Sequence, residues 1–252
     1  MRYAKYVMMV GVVLGALASS AWAQPVPVDL ELILLVDVSG SISTGEFDLQ
    51  RQGYHDAFSN ALVYNGIMSG GTYNKIAATL VYWSSDNQQS QAVGWTEISD
   101  QTTSEAFGDA ILAAARPFDG MTGLGEAMAF GYPLFDNNGF EGTRLVMDVS
   151  GDGADNDGSI EPEDARTDAL NAGVTTINGL VIGTDAAVLS EYTNNVIGGV
   201  NPFVDQVSSF DDFGDAILQK LAKEINPIPE PMTMLGLAMG VGGLVGYIRR
   251  RR

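Results

Sequence analysis

The sequence predicts an α/β fold in which a doubly wound, mostly parallel sheet is flanked by helices. Three observations predict it. Strand-like and helix-like patterns alternate along the chain. The strand segments are almost continuously apolar, as strands buried on both faces must be. About 200 residues separate two biased ends, enough for one domain with a substantial core.

The segments follow in order. Leu30 to Val36 is an unbroken apolar run and the first strand. From Glu46 to about Leu62, Phe47, Tyr54, Ala57, Phe58 and Ala61 or Leu62 recur at helical spacing, with Ser43 or Thr44 as N-cap. Lys75 to Trp83 reads as a strand, and Ala92 to Ile98 as a short edge strand beside it. Ser104 to Ala115 is a helix ended by Pro117, and Leu124 to Phe135 is another. Thr143 to Val149 is a strand, Pro162 to Asn171 a helix stopped by Gly173, and Val174 to Ile182 a strand. Ala186 to Ile197 reads as helical, Phe203 to Val207 as a short strand, and Phe210 to Ile225 as the last helix. The hexapeptide Phe-Gly-Asp-Ala-Ile-Leu occurs twice, at 107–112 and 213–218. The flanks do not repeat, so it predicts two similar amphipathic helices, with the glycines at close helix–sheet contacts.

The ends carry sorting signals. Residues 1–23 read as a secretory signal peptide: Arg2 and Lys5 start it, Val7 to Ala18 form its apolar core, and Ala21-Trp22-Ala23 a cleavage site. Residues 24–226 form the expected domain. In the tail, Pro227 to Pro231 are an extended linker. Residues 232–248 carry no charge and cover roughly 25 Å as a helix, enough for a thin bilayer. Arg249 to Arg252 are a basic stop that holds that end in the cytoplasm.

Composition narrows the function. The domain holds thirty acidic and seven basic residues, a net charge of −23, which disfavours nucleic acid and anionic lipid. There are no cysteines, so disulfides, thiolate catalysis and cysteine metal sites are excluded. The single His55, within a helical segment, supports neither a histidine zinc site nor a hydrolytic triad. No phosphate loop and no Gly-x-Ser-x-Gly elbow occur. Aspartyl phosphotransferases want a second Asp two residues after the first, and here Ser39 stands in that place. The expectation is that the protein is not an enzyme.

The first strand runs into Asp37-Val38-Ser39-Gly40-Ser41. One carboxylate and two hydroxyls at the carboxyl end of a strand suit a hard divalent cation that keeps some water. This turn resembles the first metal-binding loop of von Willebrand factor A-type (VWA) domains, whose architecture is the one predicted above. The resemblance implies two further loops. Thr122, in the glycine-rich stretch before the helix at Leu124, with Ala127 five residues on, matches the second. Asp152, in Ser150-Gly151-Asp152-Gly153, matches the third, with Asp148 as the alternative if its strand ends early. A charged Asp148 inside a strand needs a partner, for which Arg144, Thr122 or the metal shell are candidates. Such a MIDAS-type site implies Mg²⁺, with Mn²⁺ also fitting. It leaves a position for an acidic group of a protein or glycan ligand.

A second, calcium-binding site is a further expectation, because Asp155, Asp157, Gly158, Glu161 and Asp164 follow the spacing of an EF-hand-like loop. The closing Asp164 stands where a Glu is usual, and Gly153 where the first Asp is usual. The tail resembles the PEP-CTERM signal of Gram-negative bacteria, which implies an exosortase as partner and a destination at the cell surface or extracellular matrix. The stretch from Asp148 to Gly153, with Thr176 to Leu180, resembles an uncharacterised secreted bacterial VWA subfamily. The leading functional expectation is a surface-displayed, metal-dependent binding or adhesion module. The alternatives are an acidic matrix protein with a vestigial site, and a metal-dependent hydrolase.

Overall fold

A computed structural model of the chain describes residues 24–226. The expected signal peptide and sorting tail lie outside the described residues. Among the described residues, no helix is long and apolar enough to cross a membrane.

A short strand β1 (Val26–Val28) leads into β2 (Leu30–Asp37), every residue of which is buried. Two helices follow, α1 (Thr44–Phe58) and α2 (Ala61–Ser69), then β3 (Ile76–Trp83) and β4 (Gln89–Ile98). Helix α3 (Gln101–Ala113) precedes α4 (Leu124–Gly131), which ends in a 3₁₀ turn over Tyr132–Phe135. The remainder runs β5 (Phe140–Gly142), β6 (Leu145–Gly151), α5 (Pro162–Asn171), β7 (Thr176–Ile182) and α6 (Ala186–Glu191). A π turn (Tyr192–Val196), β8 (Gly198–Gly199), β9 (Val204–Val207) and α7 (Phe213–Ile225) complete it.

The main sheet is ordered β4-β3-β2-β6-β7, with β8 and β9 both paired to β7. Strands β2, β3, β6, β7 and β9 are parallel, while β4 and β8 are antiparallel. The chain leaves β2 toward β3 on one side and returns to β6 on the other. The order therefore reverses at β2 and β6, and ligands of open α/β sheets bind where their carboxyl ends splay apart.

Alternation along β2 builds two cores. Leu30, Leu32, Leu34 and Val36 face α1, α2, α3 and α7, whereas Ile33 and Leu35 face α4, α5 and the π turn. The doubly wound expectation is met, and several boundaries are refined. The helix expected from Glu46 to Leu62 is two helices. Asn60 takes an extended backbone conformation and its side chain caps Leu62 N at 2.9 Å, starting α2. Strand β1 pairs with β5 in a separate two-stranded sheet. Both are too short to carry a periodic signal.

The repeated hexapeptide proves to be a helix–helix device. Phe107 of α3 packs edge-on against Phe58 at 4.8 Å, and Phe213 of α7 against Tyr54 at 5.5 Å. Such pairs contribute about 0.5–1.5 kcal/mol beyond their buried area. The following glycine brings each helix against α1. A Cβ on Gly108 would meet the His55 carbonyl at 3.1 Å, and Gly214 lies against Gly53. The close contacts are thus with α1 rather than with the sheet.

Candidate metal centre

Strand β2 delivers Asp37 fully buried to the sheet's carboxyl edge, and the turn that follows folds back over it. Asp37 Oδ1 accepts from the Ser39 amide at 2.7 Å, while Oδ2 is buried with no hydrogen-bond partner. Ser39 and Ser41 bring their hydroxyls within 3.1 Å of each other, and Ser41 Oγ donates to Asp152 Oδ1 at 2.6 Å. Asp152 is the residue immediately after β6, so the first and third loops meet through this contact.

The second loop lies against both. Gly40 N donates to the Gly120 carbonyl at 2.7 Å. The backbone amides of Asn156 and Asp157 donate to the Thr122 carbonyl at 2.9 and 3.1 Å, and the Asn156 side chain accepts from Thr122 N at 3.0 Å. A Cβ on Gly153 would lie 3.1 Å from Thr122 Oγ1, which places that hydroxyl beside the third loop. All five residues expected from sequence, Asp37, Ser39, Ser41, Thr122 and Asp152, therefore occupy one sheet edge.

Asp148 does not join them. It lies within β6 on the opposite face, fully buried, with Lys220 Nζ 2.5 Å from its Oδ1. Lys220 also donates to Glu224 Oε1 at 2.7 Å, and Asn178 to the same oxygen at 2.9 Å. The partner expected among Arg144, Thr122 and the metal shell is instead this lysine. Arg144 donates to the carbonyls of Glu224 and Ile225 at the end of α7.

The calcium loop does not form. Asp155 Oδ1 accepts from Leu124 N at 2.6 Å and so caps the start of α4. Asp157 Oδ2 accepts from Asp86 N at 3.1 Å. Asp164 sits in the first turn of α5, where acids favour the helix dipole. These carboxylates brace the loop instead of converging, and among the described residues no group of three or more His, Cys, Asp or Glu could hold a metal. The Asp37 constellation uses two carboxylates with three hydroxyls and so is a different kind of donor set.

Sequence reasoning missed the residues that hold the loops. Arg116 donates from Nε and Nη2 to the Val38 carbonyl, and further to the carbonyls of Ser39 and Phe118, at 2.6–3.1 Å. Gln50, buried in α1, donates to the Asp37 carbonyl at 3.2 Å. Ser84 and Ser85, just past β3, hold Met121 by its carbonyl and amide. Tyr192 brings a buried hydroxyl without a partner to the floor of the site: a Cβ on Gly151 would lie 2.7 Å from that oxygen and 2.9 Å from Asp37 Oδ2. None of these belongs to a local motif, although a basic residue just before the glycine-rich second loop is visible in the sequence.

Burial pushes the Asp37 carboxyl up to about 7, against the opposing pull of the Ser39 hydrogen bonds. Asp152 is raised too, chiefly by burial. Two carboxylates held in one poorly solvated edge favour a positive charge between them. Asp37 Oδ2, buried and unpartnered, is a donor of the kind a divalent cation would satisfy, and the hydroxyls of Ser39, Ser41 and Thr122 are the neutral oxygens a hard cation accepts. The residues present therefore fit the metal that a MIDAS site would hold.

Among curated proteins no sequence matches this chain. Solved structures share its fold. Proximal thread matrix protein 1 from the mussel byssus, in a form with a zinc-occupied MIDAS motif, aligns with a TM-score of 0.56 at 17% identity, over 80% of this chain and 49% of that one. The pilus adhesin SpaC from Lactobacillus rhamnosus GG gives 0.56 at 14% identity, over 81% and 31%. A von Willebrand factor type A protein from Catenulispora acidiphila gives 0.55 at 14% identity, over 79% and 43%. The chain thus spans less than half the length of each of these structures. Their likeness establishes a VWA-type fold. A family model described as "Protein of unknown function (DUF1194)" matches residues 27–229, and the chain belongs to that family.

Proposed function

We propose that this protein is a divalent-cation-dependent binding module displayed outside the cytoplasm. The observation that carries the reading is the convergence of Asp37, Ser39, Ser41, Thr122 and Asp152, with Asp37 Oδ2 buried and unpartnered at its centre. These five residues would hold Mg²⁺ or Mn²⁺, and the metal would supply an electrophilic position for an acidic group of a protein or glycan ligand. The reading is of binding rather than catalysis, because both carboxylates and all three hydroxyls of the edge are those the cation would occupy. The zinc-occupied MIDAS motif of one structural neighbour and the adhesin role of another support it.

The sorting signals supply the location. Residues 1–23 direct export and are removed, residues 24–226 are the module, and residues 227–252 are a PEP-CTERM tail. Residues 232–248 anchor the chain in the membrane until an exosortase processes it, and the module reaches the cell surface or extracellular matrix. Cell fractionation tests this: replacing Pro229-Glu230-Pro231 by alanines should leave the protein in the membrane fraction.

Calorimetric titration of Mg²⁺ or Mn²⁺ into the protein tests the module itself. Saturable binding of one ion, lost in the Ser39→Ala/Ser41→Ala double variant, is the expected result. Binding that is absent, or that survives the double variant unchanged, would overturn the reading. Weak, non-saturable cation uptake that survives Asp37→Ala would instead favour an acidic matrix protein.

A further inference from the structure

The described residues contain seven basic side chains, and each is engaged within the fold. Arg51, Lys75, Lys220 and Lys223 pair with carboxylates. Arg116, Arg144 and Arg166 donate to backbone carbonyls. Only Arg116 belongs to the loops around the metal edge, and its guanidinium is turned inward onto Val38, Ser39 and Phe118.

The acids of that edge have no such compensation. Asp86 and Asp119 are exposed and Asp152 and Asp157 half-buried on these loops, and Glu46 is half-buried in the first turn of α1. The loop acids are placed by contacts already described, Asp86 N to Asp157, Gly40 N to Gly120, and Ser41 to Asp152, and Glu46 by its capping box with Ser43 just after the first loop. One bound divalent cation offsets the charges of Asp37 and Asp152, so Glu46, Asp86, Asp119 and Asp157 leave the surrounding face negative. One large apolar side chain stands among them. Met121 is 53% exposed, yet its backbone is fixed by Ser85 Oγ at 2.7 Å and Ser84 Oγ at 3.0 Å. Methionine is an adaptable contact, and here it is presented from a rigid support.

We propose that this edge docks a basic protein segment that offers one carboxylate to the metal, its lysines or arginines to the neighbouring acids, and an apolar side chain to Met121. The proposal rests on the metal-binding reading above and specifies its ligand. An acidic ligand group alone would be drawn by the ion but repelled by the four remaining carboxylates. Flanking positive charge removes that repulsion and steers the encounter. The same acids reject polyanionic partners, so specificity comes from repulsion as much as from attraction.

The test uses the full chain and four synthetic peptides. One has a central glutamate flanked by lysines, the second has glutamine at that centre, the third flanks the glutamate with serines, and the fourth with glutamates. Fluorescence anisotropy measures binding with Mg²⁺ and with chelator, beside a calorimetric Mg²⁺ titration. The lysine-flanked glutamate peptide should bind in Mg²⁺ about tenfold more tightly than the serine-flanked one, and lose affinity as salt is raised. The glutamate-flanked peptide should bind least. The glutamine peptide should lose its dependence on Mg²⁺. In the Asp86→Lys/Asp119→Lys variant the preference for lysine flanks should disappear while saturable binding of one Mg²⁺ persists, weakened only by the altered charge. Normal Mg²⁺ binding with equal or reversed ranking of the lysine and serine peptides would overturn the proposed partner and leave the metal reading standing. Absence of Mg²⁺ binding would overturn both.

Discussion

Ser41 Oγ donates to Asp152 Oδ1 at 2.6 Å, joining two loops that are 111 residues apart in sequence. The contact links the turn after β2 to the turn after β6 and so closes the gap at the reversal of strand order. A metal at this edge would draw on both side chains at once. Ser41→Ala and Asp152→Asn should each weaken Mg²⁺ binding by about tenfold or more. Because the two groups act together, the double variant should lose less than the sum of the single losses. Calorimetric titration of the four proteins measures the coupling, and strict additivity would show that the two residues act separately.

The buried ion cluster on the other face of β6 is a matter of stability. Lys220 is fully buried between Asp148 and Glu224, and removing it leaves two carboxylates in the core without their cation. Lys220→Met should destabilise the fold by about 3–5 kcal/mol. Replacing Asp148, Lys220 and Glu224 together by apolar residues of similar volume should recover most of that loss, since the desolvation cost disappears with the charges. Urea denaturation compares the variants.

The same cluster sets a pH dependence. Burial, reinforced by Asp148, raises Glu224 from its ordinary 4.5 to about 7. A carboxyl whose pKa is higher folded than unfolded binds its proton more tightly in the fold. Its contribution to stability is then fully present below about 4.5, falls as the pH rises to about 7, and is lost above that. Asp37, raised to about 7 by burial, acts in the same direction in the metal-free protein. Glu224→Gln should therefore flatten part of the decline in thermal midpoint between pH 5 and pH 8, and bound Mg²⁺ should remove the part due to Asp37. An unchanged slope in both would show that neither carboxyl holds its proton in the fold.

What could be read from sequence divides along one physical line. Continuous apolar runs and helical spacing located the main strands and most helices, because burial on both sheet faces forces those patterns. That Asp37, Ser39, Ser41, Thr122 and Asp152 would share one sheet edge was legible because each sits at the end of a recognisable strand or in a loop directly beside a strand or helix. Lys220 was not, since a lysine on an amphipathic helix reads as solvent-facing until the strand beneath is known to carry Asp148. The calcium reading of Asp155 and Asp157 failed for a related reason. Spacing shows that carboxylates are close in sequence but not that backbone amides of Leu124 and Asp86 already occupy them.

Arg116 offers a case in which charge and geometry predict opposite results. Its guanidinium reaches the carbonyls of Val38, Ser39 and Phe118, and so ties the first loop to the segment that leads into the second. By charge alone, deleting a cation beside a metal site should tighten Mg²⁺ binding. By geometry, releasing the Ser39 turn should loosen it, because the hydroxyls must be held in place to serve as ligands. The planar fork serves three acceptors at once, which a single ammonium cannot do. Arg116→Ala should therefore weaken Mg²⁺ binding about tenfold or more, and Arg116→Lys should restore little of it despite restoring the charge. If Arg116→Ala instead binds Mg²⁺ more tightly, with Arg116→Lys matching the unsubstituted protein, the residue acts through its charge and the loop holds its shape without it.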